Sequence, residues 1–394
     1  MEQRAVIVIP AYNPPSAFVQ YCTALAENGF DRIVVVDDGS RTDKLPIFMK
    51  LERLGCIILR HESNRGQGAA LKTGFDYYQN HFAGQSDGII TLSADRFTRA
   101  DDVGKIASSL HNEQQMGSYA LVAGTRNLDG RLVTDYDYRM GSIMKTLYHM
   151  LMGVKLNDPL AVVLGIPDIR VAQCQAVPGD GYSYVTAMTM SFEKIGFLQV
   201  PVEYTLQEAD AQKSFRRWDT LSILYTIVKK FILYSITSVA ASILDLLMFG
   251  IFTGITFRGM AMAIIYGTVC ARLISASANY LLTKHFVFQF KSDAAQKSAR
   301  SAGEFLALSV AQCLCSALLV SGLKIVMGGS AVGIKVLVDM TLFFLSYKIQ
   351  HKYIFKDDGK DEAAARVSSA SAGTTLDDGL AQDSHRTDEK LPQN

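Results

Sequence analysis

The sequence predicts an α/β domain built on a mostly parallel sheet, followed by an all-α membrane-spanning domain. Three observations predict it. Short Val/Ile-rich runs alternate with helically spaced segments through the first half, and each run ends in a polar turn. The longest, Ile33-Val34-Val35-Val36, leads straight into Asp37-Asp38-Gly39-Ser40. A continuous β-branched run suits a strand buried on both faces, as in a parallel sheet. From about Phe231 to Phe355 the pattern changes to long apolar stretches.

Composition sets the same division. The chain has 394 residues, 49% of them hydrophobic and 20% charged, with a mean hydropathy of +0.14. That length allows two or three domains, and the apolar excess is too large for an ordinary soluble protein. A formal net charge of +1 gives no electrostatic footprint for nucleic acid, which is not an expected partner. The cysteines Cys22, Cys56, Cys174, Cys270, Cys313 and Cys315 lack zinc-type spacing, and reduced thiols are expected. Met-Glu-Gln-Arg leads directly into the first apolar run, so no secretory signal is expected.

In order, Ala5–Ile9 reads as a buried strand, ended by Pro10-Ala11-Tyr12-Asn13-Pro14. Pro15–Asn28 has helical spacing (Phe18, Tyr21, Leu25) and stops at Gly29. The Asp37-Asp38 strand follows. Its polar step falls at the carboxyl end, where open α/β sheets bind ligands, although Asp-Gly-Ser is also ordinary turn chemistry. Cys56–Leu59 is a third strand. His61 to Gly74, with Gly66-Gln67-Gly68, is a glycine loop opening a helix, and helix N-termini attract phosphate. Gly88–Leu92 ends at Ser93-Ala94-Asp95, and Ala120–Gly124 ends at Thr125-Arg126. This rhythm implies helices on both sides of the sheet.

Four segments together resemble a family-2 glycosyltransferase of GT-A fold (Rossmann-like), in the branch that makes polyprenyl-phosphate sugars. They are Val8-Ile9-Pro10-Ala11-Tyr12-Asn13, Val36-Asp37-Asp38-Gly39-Ser40, Asn64-Arg65-Gly66-Gln67-Gly68-Ala69-Ala70-Leu71 and Ala123-Gly124-Thr125-Arg126. The resemblance covers roughly the first half of the chain. It implies transfer of a sugar, with inversion, from a nucleotide diphosphate sugar to a polyprenyl phosphate, for cell-surface polysaccharide or glycan synthesis. It implies that Pro10, Tyr12 and Asn13 line the nucleotide pocket, that Asp37 or Asp38 binds base and ribose, and that Lys72 lies near the diphosphate. Asp95, Asp158 and Arg126 are the implied catalytic residues, with Asp95 holding Mg²⁺ or Mn²⁺. A hard cation with carboxylate and phosphate oxygens neutralises charge on the leaving diphosphate.

The sequence departs from the family in three places. The usual Asp-x-Asp is Ser93-Ala94-Asp95, one carboxylate short. A later Asp-x-Gln-Thr-Gly-Leu-Arg segment reads Asp158-Pro159-Leu160-Ala161-Val162-Val163-Leu164, followed by Gly165-Ile166-Pro167. An aromatic-Glu-aromatic-Glu segment reads Tyr182-Ser183-Tyr184-Val185. An active transferase with an altered acceptor side and a degenerate nucleotide-sugar-binding module attached to a lipid-linked sugar transporter both fit. A processive synthase fits less well, because Phe215-Arg216-Arg217-Trp218 lacks the Gln of its Gln-x-x-Arg-Trp motif.

The second half is divided as follows. Residues 1–218 form the first domain. Residues 219–230 read as an amphipathic interfacial helix ending in Lys229-Lys230. Residues 231–355 hold four spans, Phe231–Gly254, Gly259–Leu282, Phe305–Met327 and Ala331–Tyr347, about the length needed to cross hydrocarbon. Residues 356–394 read as a disordered tail. Asn279 to Phe288 aligns without gaps to Ser346 to Phe355, an internal repeat with a basic, aromatic end. This half resembles the GtrA-like membrane family, associated with moving or presenting polyprenyl-phosphate sugars. Lys229, Lys230, Lys284, Lys291, Lys297, Arg300, Lys348, Lys352 and Lys356 fall on one side of four spans. By the positive-inside rule the protein is expected to be multi-pass, with the soluble domain and both termini cytosolic. Arg216, Arg217 and Arg272 are candidate lipid-phosphate contacts, and a homo-oligomer is allowed. Asp245, Arg272, Lys324, Lys335 and Asp339 interrupt apolar runs, where ionisable groups suggest function or pairing. Lys324 and Lys335 can snorkel to the surface. Arg272 either pairs with Asp245 or contacts phosphate.

Overall fold

The computed structural model describes residues 4–126, 136–153, 155–161, 163–192, 196–206, 217–256, 258, 263–287, 295–327 and 331–355. The chain divides into two compact units, with a boundary between Leu224 and Tyr225. The first unit contains β1 (Val6–Ala11), α1 (Phe18–Glu27), β2 (Ile33–Asp37), α2 (Leu45–Arg53), β3 (Ile57–Arg60), α3 (Gln67–His81) and β4 (Gly88–Thr91). It continues with β5 (Arg96–Thr98), α4 (Ala100–Gln115), β6 (Leu121–Thr125), α5 (Tyr136–Met152, counted with the second unit from His149 on), β7 (Leu164–Pro167), α6 (Val171–Gln175), α7 (Ser183–Ser191), β8 (Phe197–Pro201) and β9 (Tyr204–Leu206).

The apolar runs form the middle of a seven-stranded sheet in the order β3-β2-β1-β4-β7-β6-β8. β1 lies parallel to β2 in the register Ile7↔Ile33 through Ala11↔Asp37, and Val34, Val35 and Val36 are completely buried. Alternation of side chains sorts the two faces. Ile7, Ile9, Ile33 and Val35 share a core with Phe18, Tyr21 and Leu25 of α1, Phe48 and Leu51 of α2, and Ile106 and Leu110 of α4. On the other face α3 approaches so closely that a Cβ on Gly74 would lie 2.4 Å from Val8 Cγ1. Helices therefore cover both faces, and the predicted α/β architecture is present.

Two features depart from the predicted order. β7 runs antiparallel to both its neighbours, β4 and β6, while the remaining pairs of this sheet are parallel. Its run Leu164-Gly165-Ile166-Pro167 is short and apolar, and such a run carries no sign of direction. β5 and β9 pair separately as a small antiparallel ribbon. β1 also runs through Pro10 to Ala11 instead of ending before it. β4 pairs only with Val6 to Val8, so the missing proline N–H takes no bond from that ladder.

The order β2-β1-β4 creates a switch point. From β1 the chain winds outward to β2 and β3, then returns to place β4 on the other flank of β1. A crevice opens outside the carboxyl ends of strands at such a point. Tyr12 and Asn13 follow β1 there, and Ser93 to Asp95 follow β4.

The second unit is helical. Its long helices are α8 (Arg217–Ile251), which begins before the boundary, α9 (Ala263–Leu282), α10 (Ala295–Met327) and α11 (Ala331–Ile349). The expected interfacial helix and first span are one continuous α8. Within the described residues one stretch, Trp218–Thr256, is long and apolar enough to cross a membrane by length and composition. The internal repeat has a structural counterpart. α9 ends in a π-helical turn at Thr283–Val287, and α11 ends in one at Gln350–Ile354, at aligned positions of the two copies. Thr283 Oγ1 bonds Asn279 Oδ1 (3.3 Å) in the first copy. Gln350 Nε2 bonds Ser346 Oγ (3.0 Å) in the second. One helix serves both: Thr237 of α8 meets Thr283 at 3.5 Å, and the Tyr234 hydroxyl accepts from Gln350 Nε2 at 3.2 Å. The side chains of Lys324, Lys335 and Asp339, the segment around Lys291 and the tail after Phe355 lie outside the described residues.

Candidate active site

The carboxyl ends of β1, β2 and β3 are tied together by side chains. Asn13 takes a left-handed backbone, φ 50°, a conformation that asparagine tolerates better than most residues. Its N–H donates to Ser40 Oγ (2.9 Å), and its Oδ1 accepts the Arg41 N–H (2.9 Å). Asp37 Oδ1 accepts the Ser40 N–H, and Asp37 Oδ2 accepts Arg60 Nε, both at 2.9 Å. The register Asp37↔Arg60 places these opposite charges side by side. Tyr12 stands beside this framework with its ring 53% exposed.

Asp38 is only 3% exposed and serves the glycine loop. Oδ1 accepts the Arg65 N–H (2.9 Å), and Oδ2 accepts the Gly66 N–H (2.8 Å). His61 Nδ1 lies 2.7 Å from Oδ1, and its Nε2 lies 2.9 Å from Thr73 Oγ1 on α3. A carboxylate accepting backbone N–H bonds of this kind makes charge-assisted, short contacts.

The opening of α3 is closed by protein. The Ala69 N–H donates to the Asp180 carbonyl (3.1 Å). A Cβ on Gly66, φ +100°, would lie 2.4 Å from the same carbonyl oxygen, and one on Gly68 would lie 2.6 Å from Tyr184 Cβ. The glycines thus let the segment 180–184 pack on the opening of α3, where the sequence also allows phosphate to approach. Lys72 bonds Asp180 Oδ1 at 2.9 Å and lies 5.1 Å from the Tyr184 ring centre. Tyr184 is completely buried and donates to the Cys174 carbonyl (2.6 Å). Burial, then the neighbouring Cys174 and Asp180, push its hydroxyl well above its ordinary range, so it remains a donor.

At the end of β4, Ser93 Oγ donates to Asp95 Oδ1 in a very short bond, and Asp95 is exposed. At the end of β6, Arg126 meets Asp158, which precedes β7. Nε reaches Oδ2 at 2.5 Å, and the second nitrogen reaches Oδ1 at 3.0 Å. Asp158 is completely buried and Arg126 is 9% exposed. The Leu160 N–H adds a bond to Asp158 Oδ1 (3.2 Å). Among the described residues, no group of three or more His, Cys, Asp or Glu side chains is placed to hold a metal ion.

Comparison with known proteins speaks to this strand-end arrangement. Residues 6–147 match the family model Glycosyl transferase family 2. The matched stretch holds β1 to β6 and the turns that follow them. Uncharacterized protein MJ1222 of Methanocaldococcus jannaschii is 35% identical over 126 residues, covering 31% of this chain and 46% of that protein. The UDP-N-acetylglucosamine–dolichyl-phosphate N-acetylglucosaminyltransferase of Methanococcus voltae is 27% identical over 123 residues, covering 28% and 48%. The chain spans about half the length of these curated relatives. Among solved structures, glucosyl-3-phosphoglycerate synthase from Mycobacterium tuberculosis, crystallised with Mn²⁺, UDP and glucosyl-3-phosphoglycerate, superposes with a TM-score of 0.42 and 18% identity. It covers 57% of this chain and 79% of that one. Mannosyl-3-phosphoglycerate synthase from Rubrobacter xylanophilus gives 0.41 and 17%, covering 58% and 72%.

In the first unit, the residues expected from the sequence fall into groups. Tyr12 and Asn13 stand with Asp37 and Asp38 at neighbouring strand ends, with Pro10 inside β1. Arg126 and Asp158 are brought into direct contact. Lys72 is held by Asp180. Both aspartates of the Asp37-Asp38 pair already have protein partners on each oxygen, so any ligand contact must use their remaining lone pairs. Arg60, His61 and Asp180 were missed. Arg60 and His61 could have been found from the adjacent ends of β2 and β3, where an acidic pair faces a basic one. Asp180 had no local signal, because its partner lies 108 residues away. Elsewhere, in the second unit, Arg272 lies 3.6 Å from Asp245. Arg216 and the side chain of Arg217 lie outside the described residues.

Proposed function

We propose that the chain is a membrane-bound glycosyltransferase of GT-A fold that moves a sugar, with inversion, from a nucleotide diphosphate sugar to a polyprenyl phosphate for cell-surface polysaccharide or glycan synthesis. One observation carries the reading. A stretch matching the family-2 model places an exposed Tyr12 and a fixed Asn13 turn on one side of the β1–β4 switch point, and the exposed Asp95 on the other.

The residues would act as follows. The Tyr12 ring offers a stacking face for a base. Asn13, Asp37 and Ser40 hold the turn beneath it, and the Asp38 clamp keeps the glycine loop in place. Lys72, released from the exposed Asp180, is a candidate for the diphosphate. The donor set fits Mg²⁺ or Mn²⁺ sparsely: Asp95 gives one exposed carboxylate, and Mg²⁺ commonly takes one or two, with phosphate oxygens and water. When bound, such a cation neutralises charge developing on the leaving diphosphate. The acceptor phosphate is already anionic, so little demand falls on a general base. Arg126 and Asp158 act as positioning residues beneath the site. The second unit reads as a GtrA-like four-span domain with a cytosolic middle loop, and Arg216 and Arg217 are proposed to approach the lipid phosphate.

The single carboxylate of Ser93-Ala94-Asp95, where a pair is usual, favours a second reading, a nucleotide-sugar-binding module attached to a transporter of lipid-linked sugar. The full chain in lipid, given a panel of radiolabelled nucleotide sugars and polyprenyl phosphate, separates the two. The first reading expects labelled lipid, a requirement for Mg²⁺ or Mn²⁺, and loss of product in Asp95→Ala with folding intact. Nucleotide binding that ignores the cations, with no labelled lipid from any donor, establishes the second.

A further inference from the structure

We propose that the face of α8 and α9 carrying Asp245 and Arg272 binds a second copy of this chain, with Arg272 of each copy pairing with the partner's Asp245. The inference rests on the reading that these helices lie in a membrane.

Arg272 is poorly served within its own chain. Its guanidinium carries five N–H donors, yet its contact with Asp245 Oδ2 is 3.6 Å long, beyond a hydrogen bond. Its side chain is 73% exposed, against 23% for Asp245. Exposed apolar residues surround the pair, including Leu246 and Leu247 on α8 and Val269 and Leu273 on α9. A charged group facing hydrocarbon is costly and calls for a partner.

Two kinds of partner could satisfy the guanidinium, and Asp245 decides between them. An anion such as a lipid phosphate would gain Arg272 but would sit beside a carboxylate, and like charges repel. Asp245 is held in place by Ser275 Oγ, which donates to Oδ1 at 2.9 Å, so it does not readily withdraw. A second copy meets no such penalty. The patch holds one charge of each sign, and a twofold axis brings each patch onto itself. Rotation about that axis sets Arg272 against the partner's Asp245 twice, making a ring of alternating charges, while Val269 and Leu273 bury apolar surface around it.

The test uses the full chain, reconstituted in nanodiscs or mild detergent, with two charge variants. Arg272→Asp makes the patch wholly acidic, and Asp245→Arg makes it wholly basic. The wild-type chain is expected to self-associate, and each variant alone to do so at least tenfold more weakly. Differently tagged variants expressed together should co-purify as a mixed pair, which also shows that both fold. Cysteine cross-linking gives a second measurement: with Cys270, Cys313 and Cys315 replaced by Ser, Leu273→Cys should produce an oxidant-dependent dimer absent from the same background without it. Self-association of Arg272→Asp at the wild-type level, or no cross-link at position 273, overturns the proposal. So does a monomeric Asp245→Arg chain that gains bound phospholipid without pairing with Arg272→Asp. Carbonate extraction of the wild-type chain tests the membrane reading separately, because a chain released from membranes refutes that reading whatever its oligomeric state.

Discussion

Arg126 and Asp158 are 32 residues apart in sequence and meet as a two-bond ion pair at 2.5 and 3.0 Å, with the carboxylate completely buried. The pair joins the end of β6 to the turn before β7, and Thr186 of α7 reaches the same turn through the Pro159 carbonyl (3.4 Å). Removing one partner takes the opposite charge away from a buried group. Asp158→Ala and Arg126→Met are each expected to cost about 3–5 kcal/mol, read as a large drop in the thermal midpoint of the full chain in detergent. The double variant Arg126→Met/Asp158→Leu should lose less than either single change, because no charge is stranded. Additive losses would show that the two residues do not act as a pair.

Asp38 makes a different prediction, about a loop. Asp38→Ala leaves the Arg65 and Gly66 amides without their acceptor, and each unpaired buried group costs about 1–3 kcal/mol. The loop should open locally, so trypsin should cut after Arg65 faster in the variant than in the wild type. Nucleotide-diphosphate affinity, measured by calorimetry, should fall with it. Unchanged cleavage and unchanged affinity would remove the clamp from the site.

Glycines 66 and 68 can be tested against a nearby control. Gly68→Ala pushes a methyl group into Tyr184 Cβ and the Asp180 backbone, and overpacking of this kind costs about 1–3 kcal/mol. A methyl group at Gly181 meets nothing within 4 Å, so Gly181→Ala should leave the thermal midpoint nearly unchanged. Equal effects at the two positions would contradict close packing of segment 180–184 on α3.

Acid stability should carry the mark of Asp102, in the first turn of α4. Burial alone would raise its pKa. The bond from Lys105 Nζ (2.7 Å), the Glu203 N–H (3.0 Å) and the charges of Lys105 and Arg99 overcome burial and lower it. A depressed carboxylate pKa contributes stability above the unfolded value of about 4, and the contribution is lost as pH falls through the folded value. Asp102→Asn should therefore melt below the wild type at pH 7, with the difference shrinking as the pH is lowered beneath 4. A constant gap across that range would mean that the bonds, and not the charge, matter.

The sheet was legible because its central strands are made of nothing but buried side chains. Ile33 to Val36 could form little else, and the polar residues closing each run mark the carboxyl edge of the strands. The direction of β7 was not legible, since Leu164-Gly165-Ile166-Pro167 reads the same either way along the sheet. Individual site positions were visible as types of residue. Their partners were not: nothing local shows that the Asp38 oxygens also accept from amides 27 and 28 residues further on. The packing at the glycine loop was not legible for a related reason. Glycine marks a close approach, and the sequence does not say whether phosphate or the Asp180 carbonyl does the approaching.

The paired π-helical turns at Thr283–Val287 and Gln350–Ile354 make the two copies of the repeat alike in backbone as well as in sequence. A π turn spans one residue more per hydrogen bond than an α turn, and both copies hold that surplus at the same aligned position. A third such turn, Phe252–Thr256, follows α8 outside the repeat. Within the repeat the two turns share more than their position: each carries one aromatic ring at the aligned place, Phe286 in the first copy and Tyr353 in the second, and both rings stay on the surface. The two copies thus present the same kind of face from the same local backbone form.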